Sequence, residues 1–217
     1  MKEKWSEQAW RAVEPVYRQI ISHPFVTGLV AGTLERSKFL FYLSQDALYL
    51  GRYCKVLAHV GSRLDNRADI DAMMRFASDG IAVEAALHES FLGGEPLPAM
   101  SPTCMLYTAV EEAQAFRPVE VEAAALLPCF WVYERVGRSI LEQCGDSVDS
   151  NPYARWIKTY GDPTFAEATR RYIDICDRLA DGATDAIRAE MTEIFKTCTR
   201  LEWMFWDSAY HLEKWKI

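Results

Sequence analysis

Cys129 sits in an apolar run, Ala123-Ala124-Ala125-Leu126-Leu127-Pro128-Cys129-Phe130-Trp131-Val132-Tyr133-Glu134. A thiol attacks carbon once it is ionised, so a nucleophilic cysteine must be reachable and partly ionised near neutral pH. Pro128 removes a backbone donor and loosens the turn before it, and that disturbance beside a sulfur predicts a pocket. Tyr133, four residues on, shares the helix face of Cys129 and can turn its hydroxyl into the same space. A core cysteine beside a core tyrosine is the plainer reading of the same segment.

Two carboxylates fall in comparable surroundings. Asp46 and Tyr49, in Phe41-Tyr42-Leu43-Ser44-Gln45-Asp46-Ala47-Leu48-Tyr49-Leu50, share a stripe that is otherwise apolar. A carboxylate there needs hydrogen bonds from the protein or from a ligand, unless it faces outward instead. Glu202, in Leu201-Glu202-Trp203-Met204-Phe205-Trp206-Asp207, lies one turn before Phe205 and Trp206. Desolvation at such a position raises a carboxyl pKa towards neutrality and suits it to moving protons; an exposed glutamate beside buried aromatics is the commoner case. Tyr107 and Tyr160 add two hydroxyls, each compatible with ordinary core.

The elements that must hold these groups read as helices throughout. Apolar residues recur at helical spacing with no period-2 alternation, which predicts helices over 3–22, 34–62, 67–92, 102–116, 119–144, 150–160, 163–180 and 184–214. His23-Pro24 breaks the first, with His23 set to cap or hydrogen-bond locally. Gly93-Gly94-Glu95-Pro96-Leu97-Pro98 forms a loop, Gly161 closes a helix, and Thr184 caps the last one after Asp181-Gly182. No break is long enough for a linker, so residues 1–217 read as a single all-α domain, a multi-helix bundle around an aromatic-rich interior.

Composition narrows the partners. A net charge of −7 and unclustered Lys and Arg argue against nucleic acid, because neutralising phosphates needs a basic face. No apolar stretch reaches the roughly 18 residues of a membrane span, and the N-terminus lacks the apolar core of an export signal, so a soluble, cytoplasmic protein is expected. Six cysteines, Cys54, Cys104, Cys129, Cys144, Cys176 and Cys198, show no CxxC pair or tight framework and read as reduced thiols, most of them buried fillers.

Five segments taken in order, across nearly the whole chain, resemble the TenA (thiaminase II) family. They are His23-Pro24-Phe25-Val26, Tyr42-Leu43-x-Gln45-Asp46-x-x-Tyr49-Leu50, Ala125-Leu126-Leu127-Pro128-Cys129-x-Trp131-x-Tyr133, Trp156-Ile157-x-Thr159-Tyr160, and Glu202-x-x-Phe205-Trp206-x-x-Ala209-Tyr210. The resemblance implies a haem-oxygenase-like bundle, usually a homotetramer, hydrolysing an aminopyrimidine or thiamin without a cofactor. It implies that Cys129 is the nucleophile, Glu202 the general acid/base, and Asp46 the group that binds the pyrimidine amino group and ring nitrogen. Tyr49, Tyr107, Tyr133, Tyr160 and Phe205 take the remaining pocket positions. The cysteine places the chain with the cysteine-containing branch, since a related branch uses a carboxylate there.

Two other classes compete. A metal-dependent oxygenase or haem binder on the same fold could draw on Glu84-x-x-x-His88, Glu202, His59 or His211, although no Glu-x-x-His pair of the di-iron type occurs. A non-catalytic pyrimidine-binding or regulatory protein could use the same pocket, but it has no need for both Cys129 and Glu202.

Overall fold

The computed structural model describes residues 3–93 and 96–217 and, of these, every side chain but those of 83–85, 87–90 and 92. The described residues form helices α1 (Trp5–Ile21), α2 (Pro24–Ala31), α3 (Arg36–Arg63), α4 (Arg67–Leu92), α5 (Pro102–Glu112), α6 (Val119–Cys144), α7 (Ala154–Tyr160), α8 (Pro163–Gly182) and α9 (Asp185–Tyr210), with 3-10 turns at Ala113–Phe116 and Gly145–Ser150. No strand occurs among them, in agreement with the all-α expectation.

Short polar side chains start the helices by taking up their free N–H groups. Asn66 accepts from Ala68 and Asp69, Ser101 from Cys104, Asp162 from Thr164 and Thr184 from Ile187. Helix α2 was not anticipated. His23-Pro24 does end α1, but His23 then caps a new helix, its Nδ1 accepting from the Phe25 amide at 3.1 Å. Eight residues make little more than two turns, too short for a periodic signal.

Other differences also have local causes. The segment expected as a helix over 102–116 leaves the α form at Glu112 and tightens into a 3-10 turn, with Arg117 extended before Pro118. Helix α7 starts at Ala154 rather than near 150 because Asn151, extended before Pro152, cannot continue a helix. Helix α9 stops at Tyr210, short of the expected 214, and Leu212 turns the chain with φ of 52°. Gly94 and Glu95 of the expected loop lie outside the described residues.

Helix α6 is the centre of the bundle, in contact with α1, α2, α3, α5, α7, α8 and α9. It runs unbroken through Pro128. Tyr172 Oη donates to the Ala123 carbonyl at 3.0 Å and Tyr53 Oη to the Leu126 carbonyl at 2.7 Å, so buried phenols serve the backbone beside the proline. Further along, a Cβ on Gly137 would lie 2.5 Å from the Tyr160 backbone. Only glycine lets α7 approach α6 this closely, and that approach sets the position of Tyr160. Helix α3 is tied to the start of α5 by buried Gln45, whose Oε1 accepts from the Ser101 amide at 2.7 Å. No helix among the described residues is long and apolar enough to cross a membrane.

Candidate active site

A cavity of about 360 Å³ opens between α3, α4, α6, α7 and α8, within the size range of small-molecule sites. Its walls carry several aromatic rings, with Tyr53, Phe76, Phe130 and Phe165 among them, which suits a flat ring. Asp46, Cys129, Tyr133 and Tyr160 all line it. Three helices therefore bring together residues spread over more than half of the sequence. Asp46 is buried, which decides against the outward-facing alternative for it.

Glu202, Tyr49, Tyr107 and Phe205 form the layer behind this wall. Tyr107 Oη donates to Glu202 Oε1 at 2.7 Å. The Tyr49 ring is held between Tyr53, at 5.3 Å between centroids, and Tyr107, at 4.9 Å. Phe205 packs against Tyr42 and Tyr49, each at 5.9 Å. Tyr42 in turn donates to Tyr133 Oη at 3.3 Å and accepts from Trp156 Nε1 at 3.4 Å, fixing the hydroxyl that Tyr133 turns to the cavity. The groups whose chemistry needs a rigid frame thus sit in a hydrogen-bonded aromatic network.

Burial pushes the Glu202 carboxyl up to about 8, the Tyr107 hydrogen bond offsetting part of the shift and the Asp46 charge adding to it. At neutral pH most Glu202 side chains hold their proton, as expected for a carboxylate among aromatics. Cys129 is the one cysteine of six that is not buried, so its sulfur alone can be reached from the cavity. The expectation of a partly ionised thiol needs correction. Burial, then the charges of Glu202, Glu111 and Asp46, push the Cys129 thiol well up, and a hydrogen bond from Tyr49 only partly opposes them. The sulfur rests as S–H and must lose its proton during reaction.

The sequence reading missed Glu111. It is 1 % exposed, on α5, and accepts from Tyr49 Oη at 2.8 Å. In Val110-Glu111-Glu112 it reads as half of a solvated acidic pair; only its position one turn after Tyr107 could have signalled the shared face.

The metal reading finds little to build on. The side chains of Glu84 and His88 lie outside the described residues. His59 Nδ1 contacts Glu122 Oε1 at 2.7 Å, His211 is exposed beside Asp207, and the described residues contain no cluster of three or more metal-ligating side chains.

Comparison with known proteins places this arrangement. The family model described as TENA/THI-4/PQQC matches residues 10–212. The chain is 34% identical over 217 residues to the aminopyrimidine aminohydrolase of Halalkalibacterium halodurans, covering 95% of each protein. It is also 34% identical over 202 residues to the thiamine biosynthesis multifunctional protein ThiED of Corynebacterium glutamicum, where 92% of this chain spans only 26% of that longer protein. Among solved structures, a TenA homologue from P. horikoshii superposes with a TM-score of 0.79 at 26% identity, over 96% of this chain and 99% of that one. A Shewanella denitrificans domain with a heme oxygenase-like fold superposes with a TM-score of 0.69 at 14% identity over 93% of this chain and 90% of that one, a likeness of fold alone.

Proposed function

The chain belongs to the TENA/THI-4/PQQC family, and from that premise we propose that it is an aminopyrimidine aminohydrolase, a thiaminase II acting in thiamin salvage. The substrate is 4-amino-5-aminomethyl-2-methylpyrimidine, or thiamin, and the product 4-amino-5-hydroxymethyl-2-methylpyrimidine. The observation that carries this reading is Cys129 itself, the one cysteine that lines the cavity, with a buried Glu202 pushed up to about 8 and held by Tyr107 in the layer behind its wall. Full-length relatives named for this activity, such as that of H. halodurans, support it.

In this mechanism the pyrimidine stacks on the aromatic walls beside Tyr133 and Tyr160, and Asp46 accepts from its amino group. The Cys129 sulfur adds to the ring as its S–H bond gives up a proton to solvent, to be regained when the addition reverses, while Glu202 gives its proton to a ring nitrogen, so that no anion builds up on the heterocycle. Loss of ammonia, or of the thiazole from thiamin, leaves a methide that water traps. Reversal of the addition returns the sulfur and the Glu202 proton. Tyr107 holds the Glu202 carboxyl, and Tyr49 and Phe205 pack against each other in the layer behind the cavity wall. The chemistry asks for a nucleophile and an acid and for no cofactor. Residues 1–217 act as one domain in a cytoplasmic homotetramer, an assembly carried by the family resemblance.

Cys129→Ser tests the proposal, because a serine hydroxyl is a poor nucleophile without a strong base. Turnover of the aminomethylpyrimidine, followed as ammonia released, should disappear while the folded protein still binds the hydroxymethyl product. Serine at Cys104, Cys144, Cys176 or Cys198 should leave it unchanged. Retention of more than about a tenth of the wild-type rate, a loss of under roughly 1.4 kcal/mol, would remove Cys129 from the chemistry.

A further inference from the structure

We propose that the outer half of the cavity is a subsite for the group attached to the pyrimidine, and that Asp79 and Asp162 at its mouth make the site select a positively charged group and reject a phosphate ester. The inference rests on the reading of the chain as an aminopyrimidine hydrolase and names the substituents that such a site accepts. An engineered apolar cavity of about 150 Å³ is enough to bind benzene. The cavity here, about 360 Å³, is more than twice that size, so one substituted pyrimidine at the inner end leaves room for a second group.

The lining residues sort by burial into an inner end and a mouth. Asp46, Tyr133 and Tyr160 are buried and mark the inner end, with Cys129 half-buried. Asp79, Asp162 and Thr164 also line the cavity but are exposed, and they mark the mouth. Phe130 lies 5.1 Å from Phe76 and 5.7 Å from Phe165 between ring centroids, and Phe165 meets the edge of Tyr160 at 5.6 Å. These rings run on from the inner end, and aromatic faces both stack a second flat group and attract a cation. Among the described residues, the charged side chains that line the cavity are Asp46, Asp79 and Asp162, all of them acids.

The fold holds both rim carboxylates in place. Asp162 caps α8, its Oδ1 accepting from the Thr164 amide at 2.7 Å. A helix N-terminus is a place where backbone N–H groups hold phosphate, and here that position is taken by a carboxylate of the chain itself. Asp79 precedes Gly80, where a Cβ would lie 2.8 Å from Cys54 Sγ. Glycine at that point lets α4 pack on α3 and so brings Asp79 to the mouth. Cations on neighbouring turns are engaged elsewhere, Arg75 with Asp71 at 2.9 Å and Lys158 with Asp149. The rim therefore presents negative potential to whatever enters, drawing an ammonium or azolium group and opposing a phosphate, and salt screens that potential because the rim is exposed.

Calorimetric titration of 4-amino-5-hydroxymethyl-2-methylpyrimidine and of its phosphate ester into the wild-type protein tests the subsite without turnover, since the two ligands share the ring and differ in charge at the mouth. At about 0.02 M salt the neutral ligand should bind about tenfold or more tightly than the ester, and at about 0.5 M salt the ratio should shrink to within about threefold. Asp79→Asn combined with Asp162→Asn, where asparagine still caps α8, should give the small ratio at both salt concentrations. Thiamin carries a fixed positive charge, so its kcat/KM should fall about tenfold in the double variant at low salt and converge with wild type at high salt. Wild-type protein that binds the two ligands alike at low salt overturns the subsite without recourse to any variant, and so does a preference that survives the double substitution. A loss of kcat/KM that is equal at both salt concentrations assigns the two residues a structural role and overturns it too. If neither ligand binds, the aminopyrimidine reading falls and the subsite with it; if both bind alike, the subsite alone falls.

Discussion

Glu122 and Glu202 are both buried glutamates, 0 % and 1 % exposed, on helices α6 and α9 that pack against each other. Their surroundings differ in one respect. Glu122 contacts the Arg63 guanidinium and His59, groups that can carry the opposite charge. Among the described residues Glu202 has no ion pair, only the Tyr107 phenol at 2.7 Å and the field of a second carboxylate, Asp46. A carboxylate fixed by a guanidinium is a strut, since its charge is offset where it stands. A carboxyl fixed by a phenol keeps its proton until about pH 8 and can give it to a substrate. What separates the two acids here is the partner, and the degree of burial says little.

The largest effect that would break this contrast is on rate. Glu202→Gln should lower turnover by about two to four orders of magnitude, the usual share of a general acid, while the variant folds normally. Glu122→Gln should leave turnover per folded molecule within about twofold of wild type. Steady-state assays on both, with the folded fraction measured alongside, check the pair. Equal losses in the two variants would erase the distinction drawn from their partners.

On stability the order reverses. Glu122→Gln leaves Arg63 and His59 facing a neutral amide, and because both reach solvent the cost should fall between the surface and buried limits, about 2 kcal/mol. Urea unfolding at neutral pH should show a lower midpoint for Glu122→Gln with the slope unchanged. A variant as stable as wild type would mean that the Arg63 contact is not a strut.

Little of this contrast could be read along the chain. The long helices followed from apolar spacing because each one buries a wide face, which the eight-residue α2 is too short to show, and Cys129, Asp46 and Glu202 could be picked out because a polar residue interrupting such a face is conspicuous. Glu122 and Glu111 were not conspicuous. Glu122 stands in the first turn of α6, where an acid commonly faces the helix dipole, and Glu111 stands beside Glu112 in what reads as an exposed pair. The burial of both is decided by α3 and α9 arriving from distant parts of the sequence, and no local pattern encodes that. The same applies to Gly137, whose value lies in the Tyr160 backbone across from it. The charge state of Cys129 was misjudged for a related reason: a thiol pKa depends on which carboxylates fold around it.

The most direct test of the Glu202 environment is in how stability varies with pH. The folded-state pKa of Glu202 is raised from the ordinary 4.5 to about 8, so between these values the folded protein binds a proton that the unfolded chain has lost. The unfolded state then binds fewer protons, and linkage requires stability to fall as pH rises across this window. The contribution is fully present below about 4.5, declines by up to ~1.4 kcal/mol per pH unit, and is gone once the folded group ionises near 8. Glutamine cannot ionise. Glu202→Gln should therefore gain on wild type steadily from pH 5 to 8 in urea melts, and the difference between the two curves should flatten above that. A difference that stays constant with pH would mean that Glu202 ionises near the ordinary value, in which case it could not hold a proton for the pyrimidine.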